Sequence, residues 1–205
     1  MTVIKICGVT RVEQAAALAP LVDFLGLNLW LPSKRHVTVE QAISLAMAAR
    51  AGGAAKIVGV FVDATHAEIE AAVGAVHFDV VQLHGRETHA AAAMLAQSLG
   101  IPVWKALAAQ PDLAITGWPA AVLLDTPSPD RGGTGRTFDW SIASAARRAS
   151  PEVPLVLAGG LDPDNVGAAI AAVAPWAVDT ASGVESMPGI KDLARVSAFV
   201  TAVRG

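Results

Sequence analysis

Eight short runs rich in Val, Ile and Leu, most followed by a longer Ala-rich segment, leave this chain few folds to choose from. The runs are VIKICG, FLGLNLW, KIVGVFV, DVVQLHG, PVWKAL, AVLLDT, PLVLAGG and WAVDTASG; RVEQAAALA, TVEQAISLAMAAR, HAEIEAAVGAV, ETHAAAAMLAQSL, DWSIASAARRA, DPDNVGAAIAAVA and GIKDLARVSAFVTAV carry the helical texture. Between the fifth and sixth runs only a weak helix near DLAI can be fitted. Strands alternating with helices form βαβ units and therefore a parallel sheet covered by helices. Continuously apolar strands agree with burial on both faces. Eight units in 205 residues predict a single α/β domain, residues 1–205, folded as a (β/α)8 TIM barrel at the small end of its range. A doubly wound open sheet is the other architecture compatible with the pattern. No linker or shift in composition divides the chain.

Composition narrows the setting. Hydrophobic residues make up 53% of the chain, which therefore must bury a core. The longest apolar stretch, roughly 166–178, is interrupted by Gly167 and Pro175 and falls short of the about 20 residues that span a bilayer. Lys5 breaks the N-terminal apolar run before a signal-peptide core forms. The lone cysteine, Cys7, reads as a free thiol in a reducing compartment. A net charge of −3 without a basic block argues against nucleic acid as a partner. The five histidines are dispersed and lack zinc-ligand spacing, so no metal is expected. A cytoplasmic protein without membrane partners, monomer or homodimer, is the expectation.

Polar and glycine residues gather where the apolar runs stop: Cys7, Asp63, His84, Lys105, Asp125, Gly159 with Gly160, and Ser182 with Gly183, while Arg35 lies in the loop after the second run. In a barrel these strand ends converge on the catalytic face. Side-chain alternation adds direction. Lys5 and Cys7 share one face and Ile4 and Ile6 the other, so the aliphatic pair faces the helices and Lys5 and Cys7 face the barrel mouth. Gln82 and His84 point inward together, as do Leu123 and Asp125. A thiol near a cation loses its proton more readily, and Lys5 is placed to lower the Cys7 pKa.

Two glycine turns suit a phosphate. LAGGLDPDNV is a strand, a Gly pair and a helix start with Asp162 as N-cap and Pro163 in the first turn. DTASGVE places a second small-residue turn after the last strand. Backbone N–H groups after strands seven and eight of such barrels bind phosphate because glycine permits close approach and helix N-termini carry partial positive charge. PSPDRGGTGRTFDW, with Gly132, Gly133 and Gly135, is the longest glycine-rich loop and reads as a flap over a ligand. From the residues alone, a phosphosugar isomerase, epimerase or lyase and a non-catalytic phospholigand-binding protein all fit.

Together the motifs KICGVT, SKRHV, VQLHGRE, LLDT with GGTGRTFDW, LAGGLDPDNV and VDTASGVE, in this order and at barrel spacing, resemble the phosphoribosylanthranilate isomerase family over nearly the whole chain. The resemblance implies a cofactor-free Amadori rearrangement of N-(5-phosphoribosyl)anthranilate, a phosphorylated small molecule, in tryptophan biosynthesis. It places the catalytic cysteine at Cys7, the catalytic aspartate at Asp125 and the arginine for the anthranilate carboxylate at Arg35. Gln82, His84 and Asp179 are then further substrate contacts, and Gly159, Gly160, Ser182 and Gly183 hold the phosphate. Thr180 and Ala181 stand where members often carry Val and Ser, and Leu29 and Leu31 where bulkier aromatics are common.

Overall fold

The computed structural model describes residues 1–127 and 137–205. Eight strands, β1 (Val3–Cys7), β2 (Phe24–Asn28), β3 (Lys56–Phe61), β4 (Val80–Leu83), β5 (Val103–Ala108), β6 (Val122–Asp125), β7 (Leu155–Leu157) and β8 (Ala177–Thr180), close in chain order into a parallel barrel. β8 returns to β1 in the register that sets Asp179 opposite Lys5. Closure removes both sheet edges, so no row of strand N–H and C=O groups is left unpaired.

The period-two pattern sorts the side chains into two cores. Ile4, Ile6, Leu25, Leu27, Ile57 and Val81 face outward into the helices and are almost fully buried. Each such aliphatic contributes about 1.5–3 kcal/mol when removed from water. Phe24, Val58, Val60, Trp104, Leu123 and Val156 fill the lumen. At its floor Phe24 meets Trp104 edge-on at 4.9 Å, and Trp104 meets Trp176 at 5.6 Å. The lumen becomes polar only higher up, where Lys5, Gln82 and Asp179 are buried.

Helices α1 (Val12–Leu18), α2 (Val39–Gly52), α3 (His66–Val76) and α4 (His89–Leu99) follow β1 to β4; α5 (Trp140–Ala149), α6 (Val166–Val173) and α7 (Leu193–Arg204) follow β6 to β8. Thr38 with Gln41 and Thr65 with Glu68 form capping boxes that start α2 and α3. The weak helix near DLAI does not form. Residues 109–121 carry Pro111, Gly117 and Pro119, and Asp112 is left-handed with φ 57°, so the segment crosses to β6 in turns. Ile115 plugs the helix-side core from it, and Trp118 meets His89 with the rings tilted by 53° and their centres 3.8 Å apart.

Two helix starts differ from the sequence expectation. α6 begins at Val166, and Asp162 instead holds the preceding turn, its Oδ1 accepting from Asp164 N and Asn165 N. α7 begins at Leu193 because GIKD is not helical. After a 3-10 turn over Ser182–Val184, the chain makes an antiparallel hairpin of β9 (Glu185–Met187) and β10 (Ile190–Lys191) about Gly189, whose φ is 82°. Asp192 then caps α7 by accepting from Ala194 N and Arg195 N.

Candidate active site

Cys7 ends β1 with Lys5 one inward position below it, as alternation requires. The Lys5 side chain is fully buried and its Nζ donates to Asp179 Oδ1 at 3.0 Å. Gly26 on β2 makes room for both groups. A Cβ there would stand 2.8 Å from Cys7 Sγ and 3.2 Å from Lys5 Nζ. Gly8, left-handed with φ 74°, makes room for Arg35: a Cβ at this position would overlap Arg35 Cδ. The glycine directly after the cysteine thus lets an arginine stem lie across the end of β1.

Lys5 acts on the Cys7 thiol in the direction its placement implies, but it does not set the outcome. Desolvation pushes the Cys7 thiol up, and although Lys5 and Lys191 pull it down, burial wins. Burial also works against the Lys5 ammonium, but the Asp179 charge and its hydrogen bond, joined by Cys7 when it ionises, more than offset it and push Lys5 up. Lys5 is therefore committed to Asp179 as much as to Cys7.

Asp125 ends β6, three strands from β1 around one side of the ring and five around the other. Burial raises its carboxyl from 3.8 to about 6, with the Asp179 charge adding to the rise, against the Thr126 N–H that donates to Oδ1 at 2.7 Å. Asp179 and Lys5 act on both Asp125 and Cys7, so the four groups form one electrostatic unit. His84, just beyond β4, brings Nε2 to 3.5 Å from Asp125 Oδ2, and its Nδ1 faces Gln82 Nε2 at 3.3 Å. Gln82 Oε1 is buried with no partner among the described residues. Gly159, with φ 84°, packs against the same loop, because a Cβ there would overlap Thr126 Oγ1 and lie 3.1 Å from Asp125 Oδ1.

Arg35 is already engaged. Its Nε and Nη2 donate to Glu185 Oε1 and Oε2 at 2.8 and 2.7 Å. Lys191 Nζ donates to Glu185 Oε1 at 2.7 Å, to Cys7 O at 2.6 Å and to Ala181 O at 3.2 Å. Burial raises the Glu185 carboxyl, but Arg35 and Lys191 together carry it below its ordinary value. Glu185 and Lys191 are absent from the sequence-derived site. They sit in the hairpin, and the turn signal in SMPGIK was the clue that this stretch is not helical.

The four proposed phosphate residues divide. Gly160, Ser182 and Gly183 line a cleft of about 660 Å³ with Asp162, Pro163 and Arg195. Gly159 does not line it. Gly183 has no room for a side chain against Leu161 O, and the Thr180 hydroxyl donates to that same carbonyl, tying the eighth turn to the seventh. Thr180 thus has an internal partner. Lys105 is a second correction: β5 runs on to Ala108, and Lys105 lies outside the lumen, donating to Gly85 O at 2.6 Å and to Glu87 at 2.7 Å. It anchors the loop that carries His84 and does not reach the mouth. Gly132, Gly133 and Gly135 lie outside the described residues. Among the described residues no helix is long and apolar enough to cross a membrane.

The chain matches the family described as N-(5'phosphoribosyl)anthranilate (PRA) isomerase over residues 4–202. It is 44% identical to an N-(5'-phosphoribosyl)anthranilate isomerase from Pseudomonas aeruginosa, across 98% of this chain and 94% of that one. The crystal structure of a phosphoribosyl anthranilate isomerase from Thermus thermophilus superposes with a TM-score of 0.87 at 31% identity, covering 100% of this chain and 98% of that one. A phosphoribosyl anthranilate isomerase in complex with reduced 1-(o-carboxyphenylamino)-1-deoxyribulose 5-phosphate superposes at 0.80 with 30% identity and full coverage of both. Barrel and similarity over nearly the whole chain agree: the chain belongs to the N-(5'-phosphoribosyl)anthranilate isomerase family and is an isomerase of tryptophan biosynthesis.

Proposed function

We propose that this chain isomerises N-(5'-phosphoribosyl)anthranilate to 1-(2-carboxyphenylamino)-1-deoxyribulose 5-phosphate with Asp125 as general acid and Cys7 as general base. Asp125 gives its proton to the furanose ring oxygen as the C1–O bond breaks and the anthranilate nitrogen forms the iminium. Cys7 takes the proton from C2, and the resulting enolamine tautomerises to the ketone. Each group acting this way contributes typically about 10²–10⁴-fold.

The observation that carries the reading is the Asp125 carboxyl held near pH 6 by burial, which leaves it protonated often enough to donate. The substrate is anionic at both ends, and the site supplies one partner for each. Arg35 faces the carboxylate with the guanidinium edge that Glu185 leaves open, and the Gly160, Ser182 and Gly183 cleft takes the phosphate. Between the two anchors, the sugar lies with Cys7 to one side and Asp125 to the other.

The test is incubation of the purified protein with phosphoribosylanthranilate, followed by NMR, beside Cys7→Ala and Asp125→Asn. Wild-type turnover with both variants slowed about 10²-fold or more is expected. Near-normal turnover in Cys7→Ala removes the base assignment.

A further inference from the structure

The hairpin after β8 carries a buried cluster of two cations and one anion, Arg35, Lys191 and Glu185, whose side chains are 13%, 0% and 4% exposed. Desolvating three charges is expensive, and an apolar trio of the same volume would hold a hairpin at least as well. The arrangement therefore calls for a reason other than stability. Three contacts give one. Glu185 occupies the Nε and Nη2 edge of Arg35 with both carboxylate oxygens, and Gly189 N adds a third bond to Oε1 at 3.1 Å. That leaves Nη1, which has no partner among the described residues, and the second N–H of Nη2 as a free fork. Lys191 neutralises Glu185 while its Nζ also reaches Cys7 O and Ala181 O. One ammonium thus ties the end of β1, the turn before Ser182 and Gly183, and the arginine into a single frame. The cluster carries one net positive charge, the complement of one carboxylate.

We propose that Glu185 and Lys191 are positioning residues that aim the open edge of Arg35 at the carboxylate of the substrate. This rests on the reading that Arg35 holds that carboxylate. Glu185 fixes the guanidinium so that it loses little freedom on binding, and Lys191 keeps Glu185 ionised for the purpose.

The experiment is calorimetric titration with two probes: reduced 1-(o-carboxyphenylamino)-1-deoxyribulose 5-phosphate and the same compound lacking the ring carboxylate. Wild type, Arg35→Ala, Glu185→Gln and the double variant are compared, each checked for folding by circular dichroism. Glu185→Gln should weaken the carboxylated probe about tenfold, the size of one charge-assisted contact, and leave the descarboxy probe within about twofold. It should add nothing in the Arg35→Ala background, because its effect passes through that side chain. Should Glu185→Gln fold poorly, Glu185→Asp, which keeps the charge but shortens the reach, should show the same selective loss. Equal weakening of both probes, or additivity with Arg35→Ala, overturns the proposal in favour of a structural hairpin. If Arg35→Ala weakens the carboxylated probe and Glu185→Gln does not, only this inference falls. If Arg35→Ala binds that probe as wild type does, the carboxylate role of Arg35 falls and takes this inference with it.

Discussion

His84 Nε2 stands 3.5 Å from Asp125 Oδ2, on the side of the carboxyl away from the Thr126 N–H that binds Oδ1. The distance is longer than a normal hydrogen bond. On the other side of the ring, Gln82 Nε2 donates toward Nδ1, which puts the neutral ring's proton on Nε2, facing Asp125. The sequence reading made His84 a substrate contact; the geometry makes it a neighbour of the acid. His84→Leu is accordingly expected to lower kcat about tenfold with KM changed less than about threefold. Steady-state kinetics decides, since a substrate ligand would show its loss mainly in KM.

The two catalytic candidates titrate in the reverse of the order their roles require. Asp125 must be protonated although its carboxyl ionises at about 6, and Cys7 must be ionised although burial pushes its thiol up from the ordinary value. Only a small minority of free molecules therefore carries the acid and the thiolate together. That fraction is constant between the two pKa values, rises with pH below the lower and falls above the higher. The acid limb of the kcat/KM profile should therefore turn at about pH 6 and belong to Asp125, with a flat region above it that ends only where the thiol ionises. Because Cys7 is the only cysteine, iodoacetamide reports it directly. Alkylation of the free enzyme should follow a pKa above that of a free cysteine thiol measured alongside; a pKa below that reference would mean that Lys5 outweighs burial after all.

A carboxyl raised from 3.8 to about 6 is also a stability statement. The folded state holds this proton more tightly than the unfolded chain does. Its contribution is present in full below pH 3.8 and is lost as pH rises through about 6, so above that range the ionised, buried Asp125 weighs against folding by up to about 3 kcal/mol. Asparagine keeps an oxygen for the Thr126 N–H and carries no charge. Asp125→Asn should be more stable than wild type by about 1–3 kcal/mol at pH 8, with the gap closing toward pH 4. Urea unfolding at the two pH values measures it, and a gap that does not depend on pH would show that desolvation is not the cause.

How the chain could be read in advance depended on the range of the interaction. Alternation within one strand is local, so Ile4 and Ile6 outward and Lys5 and Cys7 inward followed from four consecutive letters. The same rule fails where a strand's end is misjudged. Lys105 looked like a strand end, but β5 continues three residues further and alternation turns the lysine to the helix side. The missing helix between β5 and β6 was foreshadowed by its weak texture. Glu185 was out of reach in another way: its partner Arg35 lies 150 residues away, and nothing local in GVESMPGIK marks a carboxylate that will be buried between two cations.

Gly26 tests how closely the thiol is seated. Its Cα pairs with Cys7 across β1 and β2, so a methyl at this position meets Cys7 Cα at 3.1 Å as well as Sγ at 2.8 Å and Lys5 Nζ at 3.2 Å. The ladder holds the Cys7 backbone in place. Lys5 has little room to yield, being fully buried with its ammonium on Asp179. The group that can move is Sγ, by rotation about its single χ1, which swings it out of line with the sugar carbon it must deprotonate. Gly26→Ala should therefore lower kcat at least about tenfold, leave KM within about threefold, and destabilise the fold by about 1–3 kcal/mol through overpacking. The kinetic and thermal measurements must be read together. Lost stability with an unchanged kcat would mean the strands had parted to admit the methyl and left the thiol in place, so its position would not depend on the missing side chain of Gly26.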